Sequence, residues 1–169
     1  AILTLPLNMV SLILSVPNVE YYELPKTVYT HLRRSMSASG VYQVQSQTKY
    51  NLTGRGVLVG IVDSGIDYTH PDFRNPDGTT RILYLWDQST VGTPPPGFRR
   101  GHLYTREDIN AALSSEDPLS VVPEQDFIGH GTAVAGIAVG NGASSGGVER
   151  GAAPESELIV VKLVPYEVP

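Results

Sequence analysis

Two stretches of this chain are almost wholly apolar: Val57-Leu58-Val59-Gly60-Ile61-Val62, and Leu158 to Val164, in which Lys162 is the one charged residue. Neither alternates. A strand with one wet face alternates with period two, so runs like these read as strands covered on both faces, as in a parallel sheet. Arg81 to Trp86 is a further strand candidate. Helix patterns lie between the strands. Thr105 to Leu113 opens with a capping threonine, and Asp108 puts acidic charge where a helix N-terminus favours it. Residues 131–139 are expected to be helical although glycine, threonine and valine are poor helix formers. Packing has to hold such a helix, and its small side chains let neighbouring backbone approach. Strands alternating with helices predict an α/β fold, a parallel sheet flanked by helices. Residues 88–101, with Pro94-Pro95-Pro96-Gly97, and the Gly/Ser-rich residues 140–151 read as loops.

The first part of the chain has another pattern. Residues 1–25 read as a strand, a helix opened by Pro6 and a second strand, a unit too small to stabilise itself. Residues 26–50 are polar and weakly patterned, and Ser35 to Gly40 is the best candidate for an exposed, cuttable linker. Ala1 to Val16 is strongly apolar but lacks a basic start and a small-x-small cleavage site, and Pro6 and Asn8 interrupt it. It reads neither as a signal peptide nor as a membrane span. Any targeting signal is expected upstream of Ala1.

Composition excludes some functions. The net charge of −5 argues against nucleic acid and anionic membrane as main partners. There is no cysteine, which rules out disulfides, thiolate metal sites and a cysteine nucleophile.

The chemistry lies where the first apolar run ends and the small-residue helix begins. Asp63 leaves the end of a strand, and open α/β sheets place their ligands beyond the carboxyl ends of strands. A buried carboxylate there needs hydrogen bonds, which the turn Ser64-Gly65 can offer. Asp63 alone also fits a plain turn residue. His130 stands between two glycines at the start of the helix. The positive end of a helix disfavours imidazolium and so favours the neutral form that a general base needs. A nearby aspartate fixes the tautomer and stabilises the charge that develops on proton uptake.

These motifs carry a resemblance. Val59 to Ile66, continued by Asp67-Tyr68-Thr69-His70-Pro71-Asp72-Phe73, is similar to the aspartate motif of subtilisin-like serine proteases. His130-Gly131-Thr132-Ala133-Val134-Ala135-Gly136 resembles their histidine motif, and Gly151 to Leu163 resembles a third family segment. Order and spacing agree over roughly residues 50–165, and Asp before His is the chain order of subtilisin. Asp77 to Gln88, Tyr104 to Leu113 and Val19 to Lys26 resemble germination-type subtilases of clostridial spore-formers. The resemblance implies residues 36–169 as the N-terminal half of a catalytic domain, and residues 1–35 as the C-terminal remnant of a small α+β prodomain. It further implies Asp63 and His130 as two members of an Asp-His-Ser triad in a serine endopeptidase.

Departures from the family pattern matter. Ala133 replaces a histidine common in the family, and residues 88–124 lengthen the gap between the two motifs. No G-T-S-x-[AS] segment is present. These 169 residues alone are therefore expected not to cleave peptides. The alternative is an inactive subtilase-like protein that binds or senses. Asp72 matches a position that often ligates calcium in the family, together with carbonyls of residues 140–149. No cofactor is otherwise required. The partners implied are a protein or peptide substrate, the chain's own prodomain and the C-terminal half of the catalytic domain. The implied location is extracellular, or at the spore or cell envelope.

Overall fold

The computed structural model describes Pro6, Met9, Val16, Pro17 and residues 32–46 and 48–164. The chain divides into two compact units, Ala1–Thr30 and His31–Pro169. The strand–helix–strand expected over residues 1–25 lies outside the described residues, those isolated positions apart.

The second unit is built on a four-stranded sheet. Its strands are β1 (Leu58–Asp63), β2 (Ile82–Asp87), β3 (His102–Thr105) and β4 (Glu157–Lys162), in the order β1-β4-β2-β3. β4 runs parallel to both β1 and β2, while β3 is antiparallel to β2 at one edge. The sheet is therefore mixed, where a parallel one was expected. His102–Thr105 is a short segment between a proline-rich loop and a helix, and only its partner β2 makes it a strand.

The helices are α1 (Leu32–Ala38), α2 (Val41–Gln45), α3 (Arg106–Leu113), α4 (Pro118–Val121) and α5 (His130–Val139). α3 starts on the expected signal, in full. The Thr105 side chain accepts from the Asp108 N–H, and the Asp108 carboxylate accepts from the Thr105 N–H and hydroxyl. α4 was not foreseen; Asp117 caps it and Pro118 is its first residue. The linker expected over 35–40 is instead mostly helix, because Met36 is buried and anchors α1.

One face of the sheet is dry. Ile61, Leu158, Val160, Leu85 and Tyr104 form the core there with Ile109 and Ala112 of α3 and Ala135 and Val139 of α5. The other face is open among the described residues: Val62 is 61% exposed, Leu58 49% and Tyr84 45%. Cover on both faces, expected from the apolar runs, is thus present on one face only among the described residues. Beside the core, the buried Arg81 guanidinium donates to the carbonyls of Ser156, Asp72 and Val139. It thereby ties the C-terminal end of α5 to the sheet. No helix among the described residues is long and apolar enough to cross a membrane.

Candidate active site

β1 delivers Asp63 as its last residue, and the chain turns at once. The Ser64 N–H donates to Asp63 Oδ1 at 2.7 Å. Gly65 follows with φ of 126°, a conformation that favours glycine. α5 delivers His130 as its first residue, after Gly129 in the left-handed region at φ 77°. Asp63 Oδ1 and His130 Nδ1 lie 2.8 Å apart. The strand end and the helix come this close because residue 131 is glycine. A Cβ there would overlap the Gly65 carbonyl oxygen and stand 3.1 Å from the Asp63 Cβ.

The pair is electrostatically matched. The hydrogen bond to His130, and then the Ser64 N–H, hold the Asp63 carboxyl below its ordinary range. His130 is raised above its ordinary 6.5, first by the bond to Asp63, then by that residue's charge, with a further contribution from Asp126. The helix N-terminus alone favours a neutral ring, but the carboxylates outweigh it. An ionised carboxylate at Nδ1 keeps a proton on that nitrogen, so Nε2 is the free acceptor of the neutral ring. The His130 side chain is 67% exposed and that of Asp63 only 18%. The imidazole faces outward while its partner is shielded, the arrangement a general base needs.

A third acidic residue ties the two loops together. Asp126 Oδ1 accepts from the Ser64 hydroxyl at 2.8 Å and the Gly129 N–H at 2.9 Å. Its Oδ2 accepts from the Thr132 N–H at 2.8 Å and the Thr132 hydroxyl at 2.7 Å. Burial pushes this carboxyl up, but the bonds from Thr132, Ser64 and Gly129 prevail and hold it at about 2. The Ser64 hydroxyl in turn accepts from the Gly131 N–H at 3.0 Å, and Thr132 Oγ1 accepts from the Asp67 N–H at 2.9 Å.

The fold, the motifs and this geometry meet in one sequence family. The model of the subtilase family, Peptidase_S8, matches residues 54–167. The chain belongs to the subtilase family. It is 31% identical over 159 residues to the serine protease AprX of Bacillus subtilis, covering 94% of this chain and 28% of AprX. A PII-type proteinase of Lacticaseibacillus paracasei is 29% identical over 158 residues, covering 88% of this chain and 8% of that protein. Among solved structures, the Clostridium perfringens CspB protease matches with a TM-score of 0.67 and 44% identity, over 78% of this chain and 25% of CspB. The chain thus spans about a quarter of the length of AprX and of CspB. The likeness to CspB agrees with the clostridial resemblance of the sequence.

Asp72 lies at the turn Pro71–Phe73 of this subtilase chain, away from the Asp63–His130 pair. Its Oδ1 accepts from the Ser144 N–H at 2.7 Å, and its carbonyl accepts from the Asn141 N–H and from Arg81. Amide and guanidinium hydrogens thus engage Oδ1 and the main-chain carbonyl of Asp72, while Oδ2 accepts from no described residue. No group of three or more His, Asp or Glu side chains that could hold a metal occurs among the described residues.

Sequence reasoning gave Asp126 and Thr132 no role of their own, and of Ser64 it expected only the turn's hydrogen bond to Asp63, which the Ser64 N–H makes. A signal was available: an acidic residue four positions before His130, just ahead of a helix that lacks an obvious side-chain cap. What it bonds to is decided by the fold.

Proposed function

We propose that the intact protein is a serine endopeptidase in which Asp63 orients His130 and His130 acts as general base. The observation that carries this reading is the 2.8 Å contact between Asp63 Oδ1 and His130 Nδ1 in a member of the subtilase family. The nucleophile is a serine outside these residues. Ser64 is unsuited, since its hydroxyl donates to Asp126 and accepts from Gly131.

In this reading the serine oxygen attacks the peptide carbonyl carbon, and its proton passes to His130 Nε2. Asp63 stabilises the imidazolium through Nδ1–H. The tetrahedral adduct collapses, the amine leaves with the proton from Nε2, and an acyl-enzyme remains. Water, deprotonated by the same nitrogen, then releases the acid. Work outside the cell or at the spore or cell envelope, including germination, is read from the resemblance of Asp77 to Gln88 and Tyr104 to Leu113 to germination-type subtilases. Residues 1–35 are read as a prodomain remnant; an N-terminal sequence of the mature enzyme that begins within them would refute that.

The central test is labelling of the intact protein with a fluorophosphonate, which reports an activated serine. Labelling is expected at a serine outside residues 1–169, and is expected to be strongly weakened by Asp63→Asn. A folded intact protein that takes no label would overturn this reading and favour the inactive binding or sensing relative.

A further inference from the structure

We propose that Asp126 is a positioning residue for the Asp63–His130 pair. Through Ser64 and Thr132 it fixes the turn after Asp63 against the first turn of α5. The inference rests on the reading of Asp63 and His130 given above and extends it to a residue that does not touch the reacting atoms.

The connections support this role. The pair itself is joined by a single side-chain bond, Asp63 Oδ1 to His130 Nδ1. That bond alone would not fix where the imidazole points. Asp126 holds both sides. Towards the aspartate loop it accepts from the Ser64 hydroxyl, one residue after Asp63. Towards the helix it accepts from the Gly129 N–H, one residue before His130, and from both the N–H and the hydroxyl of Thr132, two residues after. The intermediates close the ring. Ser64 Oγ also receives the Gly131 N–H, and Thr132 Oγ1 receives the Asp67 N–H. The backbone on each side of His130 is thus tied to the turn that follows Asp63 through one carboxylate.

Chemistry suits the task. An ionised carboxylate accepts at both oxygens, whereas an amide accepts at one and donates from the other position. Four N–H and O–H donors converge on Asp126, so an asparagine there would turn an NH2 towards at least one of them. Its segment is also anchored from below. The Lys162 ammonium donates to the Gln125 carbonyl at 2.6 Å, and Glu124 Oε1 accepts from the Ile66 N–H at 3.3 Å. The charges that act on the His130 ring are those of Asp63 and Asp126. Glu124 and Lys162 lie under the same loop, paired with each other.

The test uses Asp126→Asn in the intact protein, with Asp63→Asn alongside. Asp126→Asn is expected to lower kcat on the order of a hundredfold, the scale of a small misplacement of a catalytic group, and to leave KM within about threefold. The ring also loses a nearby negative charge. The acid limb of kcat/KM, and the titration of the His130 Cε1 resonance in histidine-labelled protein, are therefore expected to move to lower pH. Unchanged kcat, a rise in KM that accounts for the loss, or an unmoved His130 titration would overturn the inference. If Asp126→Asn does not fold, Thr132→Val and Thr132→Ser read the same bonds: serine retains the hydroxyl and is expected to recover activity that valine loses. Equal activity of these two variants would overturn the inference. Full activity of Asp63→Asn would instead remove the reading on which it rests.

Discussion

Lys162 and Glu124 form a buried ion pair, Nζ to Oε1 at 3.4 Å, against the turn that follows Asp63. In the sheet Lys162 lies between Asp63 and Asp87, its register partners on either side. Its ammonium nevertheless turns to Glu124 and the Gln125 carbonyl. The strand that carries the lysine thereby supports the loop that leads to His130.

This pair makes stability depend on pH in an unusual direction. Burial pushes Glu124 up to about 7, with the Lys162 charge opposing. A carboxyl raised in the folded state contributes stability that is fully present below its unfolded value, 4.5, and is lost as pH rises through about 7. Glu124→Gln does not titrate. Its stability relative to the parent is expected to improve by roughly 2–3 kcal/mol between about pH 5 and about pH 8. Thermal unfolding of both proteins across that range would show it, and parallel curves would refute it.

Activity is expected to follow the state of His130. Asp63 raises its pKa above 6.5, and a general base acts in its neutral form. The acid limb of kcat/KM should therefore have its midpoint above 6.5. In Asp63→Asn the residual activity should show that limb at lower pH, with kcat reduced about 10⁴-fold. Steady-state kinetics over pH would measure both.

Gly131 sets the distance between helix and strand end. Alanine there would force its Cβ into the Gly65 carbonyl and against Asp63. Gly131→Ala is expected to cost about 1–3 kcal/mol, the scale of overpacking, and to depress activity by parting Asp63 from His130. Urea unfolding and the Asp63–His130 distance in a crystal structure of the variant would test this. An unchanged distance with full activity would contradict it.

The capping box of α3 offers a contrasting site. Thr105→Ala removes one half of a reciprocal pair with Asp108. It should cost about 1 kcal/mol of stability and leave kcat unchanged, since α3 packs on β2 and β3 rather than on the strand that carries Asp63. Denaturant unfolding and a kinetic assay on one preparation would separate the two effects.

Much of this was legible locally. The capping box, the strand ending in Asp63 and the helix opening at His130 each rest on a few adjacent residues. β3 and α4 were not legible: both are short, and β3 exists only because β2 offers it hydrogen bonds. The linker reading of residues 35–40 failed because serine and alanine do not forbid helix, and the burial of Met36 supports it. The apolar runs showed that two faces are suited to burial, but not which of them these residues cover.

The sequence by itself determined the elements, the motif order and the residue types at the two loop starts, because propensity, capping and motif spacing act over a few positions. Only the tertiary structure decided the partners. Asp63 and His130 are sixty-seven positions apart, and Asp126 bonds to residues from Ser64 to Thr132. No local rule fixes which donors a carboxylate meets once the chain has folded back. The packing of α5 on the sheet sets it, through the absence of a side chain at Gly131.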